Sequence, residues 1–189
     1  MSINLSKGEG INLLEAPGIK QIGIGFKWKI NQKYTGLVFD LDASVLMLGA
    51  NGKIPNENYF VFYNNLESPD GSVKLLEDST TGEGYRDDKT IEIDLSKVEP
   101  SVQEIVFVVT IYDAEDRKQN FGQLRNSFIR IYDKATEKQV AKYELDDDFS
   151  KETALEFGRL YKKDGNWSFQ AVGQGYDSEL QSFVDKYAS

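Results

Sequence analysis

The stretch Gln21-Ile22-Gly23-Ile24-Gly25-Phe26-Lys27-Trp28-Lys29-Ile30 decides the fold. Ile22, Ile24, Phe26, Trp28 and Ile30 alternate with Gln21, Gly23, Gly25, Lys27 and Lys29. Successive side chains of an extended chain point to opposite faces, so this period of two sets one apolar row on one side of a strand. The pattern predicts a half-buried strand. Downstream, residues 37–48 read Leu-Val-Phe-Asp-Leu-Asp-Ala-Ser-Val-Leu-Met-Leu and end at the turn glycines Gly49 and Gly52. Short extended runs follow at 59–63, 73–76 and 91–95. Residues 105–112 are nearly all β-branched or aromatic, as expected of a central strand covered on both faces. Runs at 128–132 and 140–145 come next.

Near the end, Lys163-Asp164-Gly165-Asn166 separates residues 155–162 from Trp167, Phe169 and Ala171. An Asp-Gly pair in that position signals a hairpin, because both central residues of a type I′ turn take positive φ. Residues 155–162 also admit a helix capped by Ser150, but the hairpin suits the strand that follows. Leu180, Phe183, Val184 and Tyr187 fall at i, i+3, i+4 and i+7, the spacing of a short amphipathic helix within 178–187. Strands with almost no helix between them predict an all-β chain: a two-sheet β-sandwich of about ten strands with a short C-terminal helix, forming a single domain over 1–189.

Composition narrows the chemistry. The 189 residues include no cysteine and no histidine, with 31 acidic against 22 basic side chains and a formal net charge of -9. Disulfides, thiolate metal sites, a cysteine nucleophile and a Ser-His-Asp triad are excluded, as are the usual ligands of zinc, copper and iron. A metal here must be hard and held by oxygen. The acidic excess repels phosphate backbones, so direct nucleic-acid binding is not expected. The N-terminus has neither a basic segment nor an apolar one, and no run approaches the length of a membrane helix, so the expected address is the cytoplasm.

Asp40 and Asp42 are two apart in an extended run and project from one face. Two carboxylates on a half-buried face repel each other and lose hydration, and a divalent cation relieves both penalties; on a solvated face they need none. The loop Glu77-Asp-Ser-Thr-Thr-Gly-Glu-Gly-Tyr-Arg-Asp-Asp-Lys89 combines Asp78, Asp87 and Asp88 with Gly82 and Gly84, whose freedom lets carbonyl oxygens turn inward. Calcium takes six to eight oxygens from such donors. The loop is not an EF-hand, since Thr80 and Gly82 stand where Asp or Asn belongs. Asn65 and Asp70, from turns between short strands, are further oxygen donors or ordinary turn residues. Gly23 and Gly25 do not make a dinucleotide fingerprint, because no helix follows. Phe26, Trp28, Tyr59, Phe60, Phe62 and Phe107 are expected in the core, and Asp146-Asp147-Asp148 in a charged loop.

These segments, taken together, resemble the TerD family of tellurium-resistance and stress-response proteins from Ile3 to Tyr187. The resemblance is carried by Ile3-Asn-Leu-Ser-Lys-Gly8, Phe39-Asp-Leu-Asp-Ala-Ser44, Leu48-Gly-Ala-Asn-Gly-Lys53, Phe62-Tyr-Asn-Asn-Leu66, Ser68-Pro-Asp-Gly-Ser72, Ile105-Val-Phe-Val-Val-Thr-Ile111, Asn120-Phe-Gly-Gln-Leu-Arg-Asn-Ser-Phe-Ile-Arg130 and Ala171-Val-Gly-Gln-Gly-Tyr176. It implies a cytoplasmic, calcium-binding β-sandwich without catalytic activity. The implied partners are other stress and tellurite-resistance proteins, with any membrane association through those partners. The family's acidic loop is matched at Asp78, Thr81, Gly82, Gly84, Asp87 and Asp88, and departed from at Glu77, Ser79, Thr80, Arg86 and Lys89. The metal ligands this implies are Asp40, Asp42, Asp78, Asp87 and Asp88, with oxygens of Asn65, Asp70, Gly82 and Gly84. Two other classes compete: a calcium-dependent carbohydrate-binding module with Tyr85 as stacking platform, and a glycosidase-like use of Asp40 and Asp42.

Overall fold

Ile22, Ile24 and Phe26 are 0%, 1% and 2% exposed, so the row read from the sequence is the inner face of a strand. The computed structural model describes residues 2–13, 19–30, 41–76, 89–145, 151–177 and 179–188. Among them twelve strands occur: β1 (Ile3–Leu5), β2 (Gly10–Asn12), β3 (Gln21–Ile30), β4 (Leu41–Gly49), β5 (Phe60–Val61), β6 (Val73–Leu76), β7 (Lys89–Asp94), β8 (Val102–Ile111), β9 (Leu124–Asp133), β10 (Gln139–Glu144), β11 (Ala154–Lys163) and β12 (Asn166–Tyr176). A four-residue helix, α1 (Ala114–Arg117), follows β8, and α2 (Leu180–Tyr187) closes the chain. One sheet has the order β1-β10-β9-β3-β7-β6 and the other β2-β12-β11-β8-β4-β5. The β-sandwich read from the sequence is the fold.

Two strands exceed the ten that alternation suggests. β1 and β2 are three residues each, too short to display a period, and exist because β10 and β12 offer them ladders. The 155–162 ambiguity resolves to strand: β11 and β12 pair antiparallel through Asp164 (φ 53) and Gly165 (φ 79), the two positive φ values of the expected turn. Two aromatic expectations shift. The 59–63 run contracts to Phe60–Val61, with Tyr59 in a 3-10 turn and Tyr63 55% exposed. Tyr112 lies just past the end of β8 and is 51% exposed, whereas residues 105–111 are buried. Trp28 and Phe62 are partly buried and pack against the core.

Aromatic rings join the two sheets. Phe26 of β3 stacks on Phe157 of β11 at 5.8 Å, Phe157 on Phe107 of β8 at 5.8 Å, and Phe107 approaches Phe169 of β12 at 6.4 Å. The column depends on a β-bulge. Glu156 pairs with Val108 and Gly158 with Phe107, so Phe157 is the extra residue and the register shifts there. A bulge places two residues opposite one and re-aims the side chains around it. It brings Glu156 and Arg159, three apart and otherwise on opposite faces, to the outer face together.

There Glu156, 1% exposed, accepts a hydrogen bond from Arg159 Nη2, and Arg159 Nη1 lies 3.8 Å from Glu104. Helix α2 covers this face. Phe183 meets Tyr176 edge-on at 5.0 Å, Tyr187 O accepts from Ile54 N at 2.9 Å, and Lys53 Nζ donates to Lys186 O at 2.7 Å. Burial opposes the Arg159 charge, but Glu156 and Glu104 outweigh it and hold the guanidinium pKa above its ordinary value. Burial beside Glu156 pushes the Tyr187 phenol up as well.

Two outcomes are expected from urea unfolding. A methyl at Gly158 would lie 2.4 Å from the buried Phe169 ring, so Gly158→Ala costs about 1–3 kcal/mol by overpacking. Arg159→Met leaves Glu156 buried without its cation and costs about 3 kcal/mol or more, whereas Arg159→Met combined with Glu156→Leu recovers most of that loss.

Candidate functional site at one end of the sandwich

Strand direction gathers several chain ends at one end of the molecule. In the first sheet the antiparallel ladders bring together the end of β3, the end of β6, the start of β7, the start of β9 and the end of β10. In the second, Leu41 pairs with Ile111, and Asp42 and Ala154 both pair with Thr110. Phe121 N, ahead of β9, donates to Glu152 O, ahead of β11, at 2.8 Å, which ties the two sheets' ends to each other, and Ile111 N donates to Thr153 O at 3.1 Å within the second sheet. The described residues flanking 31–40, 77–88 and 146–150 all belong to this end.

Of the candidate ligands, Asp42 and Asn65 stand here. Asp42 is half-buried in β4, beside Thr110 of β8. Asn65 closes the turn after β5 through reciprocal backbone bonds with Phe62, at 2.9 and 3.0 Å. Its side-chain Nδ2 donates to Phe60 O at 2.8 Å and Asn58 O at 3.1 Å. With the amide nitrogen held by two carbonyls, the orientation of the side-chain amide, Oδ1 included, is fixed. Asp40, Asp78, Gly82, Gly84, Asp87 and Asp88 lie outside the described residues, as do Tyr85 and the 146–148 acids. Among the described residues no group of three or more acids forms a metal cluster.

Asp70 is engaged elsewhere, toward the opposite end of β6 from Leu76. Its Oδ1 accepts from Ser68 Oγ at 2.6 Å, Ser72 Oγ at 2.6 Å and Ser72 N at 2.9 Å, and its Oδ2 accepts from Glu99 N at 2.9 Å. Both oxygens are committed to fastening the 68–72 turn to the segment before β8. Burial works against the charged form, but the hydrogen bonds from Ser68, Ser72 and Glu99 outweigh it and hold the carboxyl below its ordinary pKa. Tyr59 donates to the Glu99 carboxylate in the same cluster; that bond, with burial and the nearby charges, pushes its pKa up to about 12. Asp70 therefore serves the turn.

The same end carries a feature that alternation did not reveal. An open cleft of about 1320 Å³ lies between the turn after β5, the loop from Tyr112 to Asn120 and the first turn of α2, and both Asn65 and Thr110 line it. The loop is shaped by two left-handed residues, Asp113 (φ 55) and Lys118 (φ 53), which flank α1. Tyr63 and Tyr112 look out over the cleft. The signal available in the sequence was the position of each tyrosine beside Asn or Asp at the end of an apolar run, where a strand gives way to a turn.

Comparison with known proteins places the chain among relatives of one kind. Residues 1–187 match the family described as TerD domain. The tellurium resistance protein TerD of Serratia marcescens is 46% identical over 188 residues, covering 99% of this chain and 97% of that protein. General stress protein 16U of Bacillus subtilis (strain 168) is 43% identical over 188 residues, again covering 99% and 97%. A solved homologue of telluride resistance protein (TerD) from Streptomyces coelicolor A3(2) shares the fold, with TM-score 0.67 at 21% identity over 88% of this chain and 96% of that one.

The Asp70 geometry has a pH signature. A carboxyl whose folded pKa is depressed adds stability that is complete above its unfolded value and lost as pH falls through the folded one. The urea midpoint of the wild type should exceed that of Asp70→Asn by a constant margin above about pH 5, and the margin should shrink below about pH 4.

Proposed function

Because the chain belongs to the TerD family, we propose that it is a calcium-binding, non-catalytic protein of tellurite resistance and general stress response. It works in the cytoplasm through metal-dependent interaction with other proteins of that response. The relatives' names supply the physiological setting, and the chemistry rests on this chain's own residues.

The observation that carries the calcium reading is a convergence. The strand ends flanking the acidic 77–88 segment and the 31–40 segment belong to the same end of the sandwich as Asp42 and the oriented Asn65 Oδ1. The donors on offer are hard oxygens alone, carboxylate and amide, in a chain without cysteine or histidine. That set suits calcium, which accepts six to eight oxygens in flexible geometry, and suits no soft metal. Asp42, Asn65, Asp40, Asp78, Asp87 and Asp88, with backbone oxygens at Gly82 and Gly84, are the ligands we assign. A bound cation there would neutralise local acid repulsion and stiffen the segments between the strands. A surface ordered in this way recognises a partner only when calcium is present. Direct redox detoxification is disfavoured by the lack of thiols.

Binding to the folded state alone stabilises it by about 2.7 kcal/mol at a hundredfold excess over Kd. For a chain of this size that corresponds to a rise of about 5–10 °C in melting temperature. Calcium should produce this rise in a thermal scan, EDTA should abolish it, and Asp78→Asn should blunt it. A melting temperature indifferent to both calcium and chelator would sink the metal assignment.

A further inference from the structure

The cleft beside Asn65 carries more than an oxygen donor. Phe60 and Phe62 stack at 4.4 Å and Tyr63 meets Phe62 edge-on at 5.1 Å, so three rings form one wall. Tyr112 stands on another. Among the described residues four large apolar side chains are strongly exposed, and two of them, Tyr63 at 55% and Tyr112 at 51%, line this cleft. Exposed aromatic surface gathered in a concavity, rather than scattered, marks an interaction site.

Charge specifies the occupant. Five acids, Glu57, Asp113, Glu115, Asp177 and Glu179, line the cleft against two lysines, Lys118 and Lys151. Anions are repelled by that balance, and a neutral sugar would leave the acids unanswered. The rings are suited to cations, since the face of an aromatic side chain attracts ammonium and guanidinium groups. The molecule contains its own example: the Arg117 guanidinium carbon sits 5.5 Å from the Tyr112 ring centroid while its Nε lies 3.9 Å from Asp113. Size separates a small amine from a chain segment. Pockets for small molecules run to about 300–1,000 Å³, and this cleft of about 1320 Å³ is larger and open.

We propose that the cleft bounded by Phe60, Phe62, Tyr63 and Tyr112 is a docking site for an arginine- or lysine-bearing segment of a partner protein. Its cationic heads lie against Tyr63 and beside the Tyr112 ring that Arg117 already approaches, and pair with the rim carboxylates other than Asp113, while its aliphatic stems cover the rings. The site is built from side chains other than the assigned calcium ligands, apart from Asn65, and does not rest on the calcium reading.

The test uses the full chain at 150 mM NaCl and a fluorescein-labelled Arg-Leu-Arg-Leu-Arg-Leu peptide, with a Glu-for-Arg peptide as counterpart. Fluorescence anisotropy is read both with calcium and with EDTA. The arginine peptide should bind and the glutamate peptide should not. Tyr63→Ala combined with Tyr112→Ala should weaken binding about tenfold. The melting curve should be unmoved, because both rings are more than half exposed. Glu115→Gln with Glu179→Gln should weaken binding, whereas Glu9→Gln with Glu137→Gln, an equal loss of charge away from this end of the sandwich, should not. The proposal is overturned if the arginine peptide binds in neither condition, if the distant pair weakens binding as much as the rim pair, or if binding survives the tyrosine substitutions. Sedimentation showing a dimer that those substitutions dissolve would instead make a second copy of this chain the occupant, and would overturn it too. Equal peptide binding with calcium and with EDTA would support the cleft while removing the metal dependence of the proposed interaction.

Discussion

One irregularity in one strand, the bulge at Phe157, sets the relation between the two sheets and the outer face of the second. It turns the Phe157 ring inward, into a column running from Phe26 in one sheet through Phe107 to Phe169 in the other. It also presents Glu156 and Arg159 together on the opposite face. Gly158 is the residue that permits both, since any side chain there would collide with the Phe169 ring. Apolar burial and a buried ion pair usually compete for space. Here a one-residue shift in register assigns them to opposite faces.

That outer face explains where the C-terminal helix goes. Isolated helices of eight residues are unstable in water, and α2 persists because Phe183 and Tyr187 bury themselves over β11 and β12 while Tyr187 O and Lys186 O receive donors from Ile54 and Lys53. The helix in turn shields Glu156 and supplies Leu180 and Val184 to one side of the cleft. The bulge, the ion pair, the helix and the cleft wall therefore form one chain of dependence from core to surface.

The neighbouring strand ends follow a different logic. Turns at one end of the sandwich carry structural carboxylates, as Asp70 does by fastening four donors. The other end collects the strand ends that flank the sequence segments rich in acids and glycine. Asp42 and Asn65 sit at the edge of that region, and the tyrosine cleft opens beside them. The two proposed sites, for a metal and for a partner, therefore share a boundary at Asn65.

Much of this was legible in the residues. The alternation at 21–30, the β-branched run at 105–111, the Asp164-Gly165 turn and the 3.6-residue spacing of α2 follow from local stereochemistry, which the chain carries wherever it goes. The absence of cysteine and histidine likewise restricts any metal to oxygen ligands before a fold is considered. What residues in order cannot express is which of several similar groups meet. Asp70 and Asn65 look alike as turn residues, yet one spends both oxygens on Ser68, Ser72 and Glu99 and the other spends its amide nitrogen on Asn58 and Phe60. Tyr112 continues an apolar run and is nonetheless exposed, because β8 ends one residue earlier. Glu156 and Arg159 become partners only through a bulge that no periodicity announces. Local preference determined the longer strands, the turns and the ligand chemistry; the pairing of distant strands added β1 and β2 and decided register, and register decided which side chains share a face.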